Sequence, residues 1–344
     1  MSFSSNSVIA KARAIYGRSL KADDYARLCA KGSVAEAAAF LRQTDRYADV
    51  LSDINPQTIH RGRLEALIRR STFDIFERFH KFDHSDSRVF FKYIIMELEA
   101  EQILTALESV AGGSADRYVA ELPTFLLEHA ETDLLALAKA ENYMEFAHLI
   151  EDTPYHKILR PLLVDAQQTG RINIVECERR LYTFYYLSAL RTADRTYKGS
   201  DRQTLRRSLL KSIDMENVVS CCRMKMFGTA PEKIKVSLLP FRYRLREDTI
   251  DRLIQLNDTE KIQAELEKYG YRISGNPELQ SVEQLAETIS MEHLRRTLRL
   301  SRNSAAVYYS LIECLKIEQR NVKTAIEGIR YGLSSSDILS MLVI

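Results

Sequence analysis

The sequence predicts an all-α protein, and three observations predict it. Glycine (12 of 344 residues) and proline (7) are too scarce to punctuate many strands and tight turns. Ala, Leu, Glu, Arg and Lys, which lose little on entering a helix, dominate the chain. Apolar residues also recur at helical intervals: Val307, Leu311, Leu315, Val322, Ile326 and Ile329 are three, four or seven apart and form one stripe. With 45% hydrophobic and 28% charged residues, the composition is that of a soluble, folded protein. The length suits two or three domains or one repeated assembly.

Two landmarks recur along the chain. The first is a helix-start signal leading through apolar residues to a tyrosine. Ser33-Val-Ala-Glu36 opens a capping-box helix that runs to Leu41 and on to Tyr47. Asn142 starts a similar segment through Phe146, Leu149 and Ile150 to Tyr155, and Asp258 a third through Ile262 and Leu266 to Tyr271. The cap-to-tyrosine spacings are 14, 13 and 13 residues. The second landmark is an acid, two residues, an amide, then a β-branched apolar residue. It appears as Glu99, Gln102, Ile103; as Asp214, Asn217, Val218; and as Glu318, Asn321, Val322. From tyrosine to acid the gaps are 52, 59 and 47 residues.

Each repeat therefore reads as short helices followed by a long helix that carries the acid and amide. The breaker-rich stretches Ala111-Gly-Gly-Ser114 and Gly228-Thr-Ala-Pro231 divide the chain into residues 1–113 (with an N-terminal helix), 114–230 and 231–344. Gly328 and Gly332 fall near the end of the last long helix, and Ser334-Ser-Ser-Asp337 offers caps for a closing helix from Ile338 to Ile344. Three such units pack most simply around a pseudo-threefold axis, although a linear stack also buries their faces. Acid and amide, three apart, share one helix face. Converging carboxylates would be needed for a central ligand. Capping a neighbouring segment's backbone asks only for this pair, and that structural role is the one assigned to Glu99, Gln102, Asp214, Asn217, Glu318 and Asn321.

The formal charge is +2, unevenly spread. Residues 97–152 hold 13 acidic side chains against two basic ones, and residues 191–246 hold 14 basic against five acidic. Opposed patches orient macromolecular partners, unless they are merely solvated faces. Five cysteines without CxxC pairing (Cys29, Cys177, Cys221, Cys222, Cys314) suit a reducing cytoplasm. No apolar leader follows the Ser-rich first seven residues, and no run is long enough to span a bilayer.

No phosphate-binding GxxxxGK[ST] loop, GxGxxG or HExxH occurs. His80 and His84, with Asp83 and Asp86, could share a metal, but a polar helix end accounts for them and no metal or cofactor is called for. Arg202, Arg206, Arg207, Lys211, Arg223, Lys225, Lys233, Lys235, Arg242, Arg244 and Arg246 could grip a nucleic-acid backbone, with Phe241-Arg-Tyr-Arg244 as a stacking platform. The modest overall charge, the acidic neighbour segment and the lack of any DNA-binding module weigh against nucleic acid.

The last forty residues carry a resemblance. Tyr308-Tyr309, Glu318-Gln-Arg320-Asn321-Val322, Gly328 and Leu333-Ser334 look like the C-terminal signature of the C subunit of V/A-type ATPases, the family of the eukaryotic vacuolar d subunit. Ala10-Lys-Ala-Arg13 through Leu20, Asp24-Tyr25 and Leu28 is similar to the family's opening, and the threefold pattern extends the resemblance over the whole chain. Gln102 departs from the asparagine of the other two copies, against a chemical role for the amide. The resemblance implies a three-domain helical funnel, peripheral on the cytoplasmic face of the membrane. It implies a non-catalytic rotor connector between the central-stalk subunits and the proteolipid ring, in a machine moving protons or sodium. Membrane contact would run only through the ring. A generic helical scaffold or adaptor is the alternative reading of the same repeats.

Overall fold

The computed structural model describes residues 3–112, 124–274 and 279–344. Among these residues the chain is all-α, with no strand. In chain order the helices are α1 (Phe3–Gly17), α2 (Ala22–Cys29), α3 (Val34–Leu41), α4 (Arg61–Phe82), α5 (Phe91–Gly112), α6 (Thr124–His129), α7 (Leu134–Leu137), α8 (Tyr143–Leu149), α9 (Pro154–Thr169) and α10 (Ile174–Thr196). They continue as α11 (Gly199–Met226), α12 (Pro231–Ser237), α13 (Glu247–Gln255), α14 (Thr259–Lys268), α15 (Val282–Leu300), α16 (Ser304–Arg330) and α17 (Ser335–Ser340).

The capping residues read from the sequence start their helices. Ser33 Oγ accepts from Glu36 N at 3.2 Å, Asn142 Oδ1 from Met144 N and Glu145 N, and Asp258 Oδ1 from Glu260 N. The Glu36 carboxylate reaches back one residue further than the capping box requires, to Gly32 N. The joint expected at Ala111-Gly-Gly-Ser114 runs past Gly112 and out of the described residues. At the other joint α11 stops where Gly228 takes φ +70, a left-handed turn open to glycine, and α12 begins at Pro231.

The closing helix differs from its expected span of Ile338 to Ile344. Ser334 Oγ accepts from Asp337 N, so α17 starts at Ser335 and ends at Ser340. Beyond it the backbone of Val343 is held by a side chain instead of a helical turn: Asn321 Nδ2 donates to its carbonyl and Asn321 Oδ1 accepts from its N–H. Gly332, at φ +69, ends α16, whereas Gly328 lies inside that helix.

The described chain forms two compact units. One comprises residues 1–88, 197–236 and 241–344. Its centre is α16, where 19 of 27 residues are buried, far more than one stripe. The reason is that α1, α4, α11, α15 and α17 all contact it. Both chain ends share one core here: Tyr25, Leu28, Leu41, Tyr47, Leu64 and Ile68 from the N-terminal helices meet Val322, Ile326, Ile338 and Leu342. The other unit comprises residues 89–196 and 237–240. In it α5 lies along α10, and α9 along α8 and α10. Tyr93 sets its ring edge-on to Tyr185 at 6.4 Å and donates its hydroxyl to Ser188 O.

Candidate functional site

The repeated acids sit on the long helices, and each is nearly sealed from solvent: Glu99 on α5, Asp214 on α11 and Glu318 on α16 are 1%, 0% and 3% exposed. A carboxylate so placed needs donors for its lone pairs. Glu99 accepts from Thr132 N at 2.9 Å and from Tyr155 Oη at 3.0 Å. Asp214 accepts from three consecutive backbone amides, Tyr243 (3.0 Å), Arg244 (2.8 Å) and Leu245 (3.3 Å), and from Tyr271 Oη. Glu318 accepts from Leu20 N at 2.9 Å, Tyr47 Oη at 3.3 Å and Arg46 Nε at 2.6 Å.

One pattern holds at all three positions: a buried carboxylate, at least one backbone amide of a loop, and a buried tyrosine. Burial, reinforced by the facing carboxylate, pushes the Tyr47, Tyr155 and Tyr271 phenols up, so each stays protonated and donates. Burial likewise raises the Glu99 carboxyl, against the hydrogen bonds from Thr132 and Tyr155 that favour its charged form.

The amides of the motif diverge. Asn217 Nδ2 donates to Phe241 O at 3.4 Å, beside the three amides held by Asp214. Asn321 brackets Val343 with bonds of 2.6 and 3.0 Å. Gln102, half-buried, makes no hydrogen bond to the described residues that Glu99 holds.

The order of connection is not the order in which the landmarks were paired in sequence. Each carboxylate bonds the tyrosine of the following repeat: Glu99 with Tyr155, 56 residues on, and Asp214 with Tyr271, 57 residues on. Glu318, the third acid, instead takes Tyr47 from the first repeat, 271 residues away. The signal was present, since 56 and 57 are closer to constant than 52, 59 and 47. What no repetition announced is Arg46. It is buried with Glu318 and also donates to Ser71 Oγ (2.6 Å) and Thr72 Oγ1 (3.3 Å), whereas Pro154 and Gly270 precede the other two tyrosines.

Carboxylates held by amides, phenols and a guanidinium and nearly sealed from solvent are placed to tie segments of the chain together, not to exchange protons with a substrate. In Phe241-Arg-Tyr-Arg244, the Tyr243 and Arg244 amides donate to Asp214. His80 lies near the end of α4 and His84 just past it, and no group of three or more His, Cys, Asp or Glu suited to a metal occurs among the described residues. A cleft of about 820 Å³ in the first unit is walled by charges of both signs, among them Lys11, Arg18, Asp49, Asp74 and Arg78, without converging catalytic groups. No helix among the described residues is long and apolar enough to cross a membrane.

Known proteins similar to this chain are ATP synthase components. Over 272 residues the chain is 26% identical to the A-type ATP synthase C subunit of Thermococcus kodakarensis, covering 75% of this chain and 71% of that one. The protein of the same name from Pyrococcus furiosus is 22% identical over 303 residues, 88% of this chain and 78% of its own. That of Thermococcus gammatolerans is 27% identical over 213 residues, 61% and 54%. The sequence profile of the ATP synthase (C/AC39) subunit family matches residues 8–341, nearly the whole chain, and the protein belongs to that family.

Proposed function

We propose that the protein is the non-catalytic connector of a V/A-type ATP synthase rotor, joining the central stalk to the proteolipid ring on the cytoplasmic side of the membrane. In this reading residues 1–113, 114–230 and 231–344 are three homologous modules around a common axis, forming a funnel that receives the stalk. ATP chemistry and ion movement belong to other chains, and contact with the membrane passes through the ring.

The observation that carries the proposal is the buried carboxylate clamp, made three times and closed across the chain ends by Glu318 and Tyr47. A torque-bearing part must not yield between its input and its output. Close-packed helices tied by buried charge-assisted hydrogen bonds are stiff in this sense. The acids and amides of the motif are structural members of that frame. A generic scaffold would have no reason to bind either rotor partner.

Co-purification tests the reading. The tagged chain should retain the stalk subunit in one experiment and the detergent-solubilised proteolipid ring in another, each without the other partner. Failure to hold either one would remove the connector role.

A further inference from the structure

In the first unit α11 and α15 pack along each other. On their shared flank Lys211 and His293 meet, with Lys211 Nζ 3.3 Å from His293 Nδ1 and His293 Nε2 3.2 Å from Ser208 Oγ. An ammonium has only donors, so Nδ1 must accept and the ring proton sits on Nε2, facing the serine oxygen. The imidazole is thus held neutral. Burial, then Lys211, Arg207 and Arg296, press it down to about 3. Burial, then Arg244, Arg207 and Arg296, lower the Lys211 ammonium to about 8.

No carboxylate neutralises these groups. Arg207, Lys211, Arg244 and Arg296 form no ion pair among the described residues, whereas other cations of the unit are matched: Arg223 to Glu283 at 3.0 Å, Arg252 to Glu265 at 2.7 Å and Lys235 to Asp251. Asp214 lies on the same helix, but backbone amides and Tyr271 already occupy it. Arg207, Arg244 and Arg296 are exposed, so an incoming anion meets the cluster without displacing a carboxylate.

We infer that Arg207, Lys211 and Arg296, flanked by Arg244, are the docking surface for carboxylates of the stalk subunit. The inference rests on the connector reading. Charge complementarity selects this occupant: an exposed cation cluster without a carboxylate of its own takes carboxylates from a partner, and in the connector reading the stalk is the partner outside the membrane. The hollow bounded by Lys211, Tyr271 and His293 is only about 10 Å³, too small for a free phosphate ion.

The test is binding of the full-length chain to purified stalk subunit and, separately, to the proteolipid ring. Two triple variants are compared with wild type: Arg207→Gln/Lys211→Gln/Arg296→Gln, and a control of equal charge change, Lys233→Gln/Lys261→Gln/Arg272→Gln. The cluster variant should lose about tenfold or more in affinity for the stalk while keeping the ring, with the control unchanged. Its thermal melt checks that the fold is intact. Equal stalk affinity for the folded cluster variant and wild type, or an equal loss in the control, overturns the inference and leaves the connector reading standing. A wild-type chain that binds no stalk subunit overturns both. Tight wild-type binding to a labelled single-stranded oligonucleotide, lost in the cluster variant, would reassign the surface to nucleic acid.

Discussion

Glu318 differs from the other two acids in having a charged partner. Arg46 reaches it at 2.6 Å with side chains only 2% and 4% exposed, and also donates to Ser71 and Thr72. Removing one charge of such a pair strands the other away from water, which is worse than losing a hydrogen bond. Glu318→Gln should therefore cost about 3–5 kcal/mol of unfolding free energy in a denaturant titration. Replacing both residues by apolar ones of similar size, as in Glu318→Leu/Arg46→Met, should recover only the part due to the stranded charge, because Leu20 N–H and the Tyr47 hydroxyl still lose their buried acceptor. A loss below about 1 kcal/mol for Glu318→Gln would mean that the pair contributes no more than a surface contact. At this scale the sequence marked the carboxylates but not what they hold. Tyr47, Tyr155 and Tyr271 were visible as landmarks, yet which acid each one faces depends on residues 56 to 271 positions away.

Helix starts were legible in the sequence because a cap acts within three residues: Ser33, Asn142, Asp258 and Ser334 each bond an amide two or three positions on. Helix ends and crossings were less so. Gly328 is the instructive case, for it reads as a stop signal and serves as a contact. A Cβ added there would lie 2.7 Å from Ile338 Cγ1, so the glycine is what allows α17 to lie against α16. Gly328→Ala should push α17 outward and cost about 1–3 kcal/mol, with faster amide exchange confined to residues 335–343. Unchanged stability and exchange would show that Ile338 yields freely. The early end of α17 has the same origin: Asn321, a residue of another helix, claims the backbone of Val343.

Charge belongs to the whole molecule. Residues 89–196 and 237–240 carry 17 acidic and 10 basic side chains, net −7, which leaves +9 on the other unit. Such separated charge attracts partners over distances that salt shortens to about 8 Å under physiological conditions. Affinity for the stalk subunit should fall steadily as salt rises from about 50 to about 500 mM. An affinity that stays flat over that range would leave shape and apolar contact as the only sources of docking. The two units were also the least legible feature. Repeats were countable at 13 to 14 and 47 to 59 residues, but a spacing does not say whether a landmark serves its own repeat or its neighbour's.

By itself the sequence determined the helical class, the caps and the thrice-repeated acid and tyrosine, all of which rest on interactions within a few residues or on periodicity. The tertiary structure decided the pairings: Glu99 with Tyr155, Asp214 with the Tyr243–Leu245 amides and Tyr271, and Glu318 with Arg46 and Tyr47. It also decided that both chain ends share one core. The physical reason is that a buried carboxylate must take its donors from whatever backbone the fold brings to it, and only the packed chain fixes which segment that is.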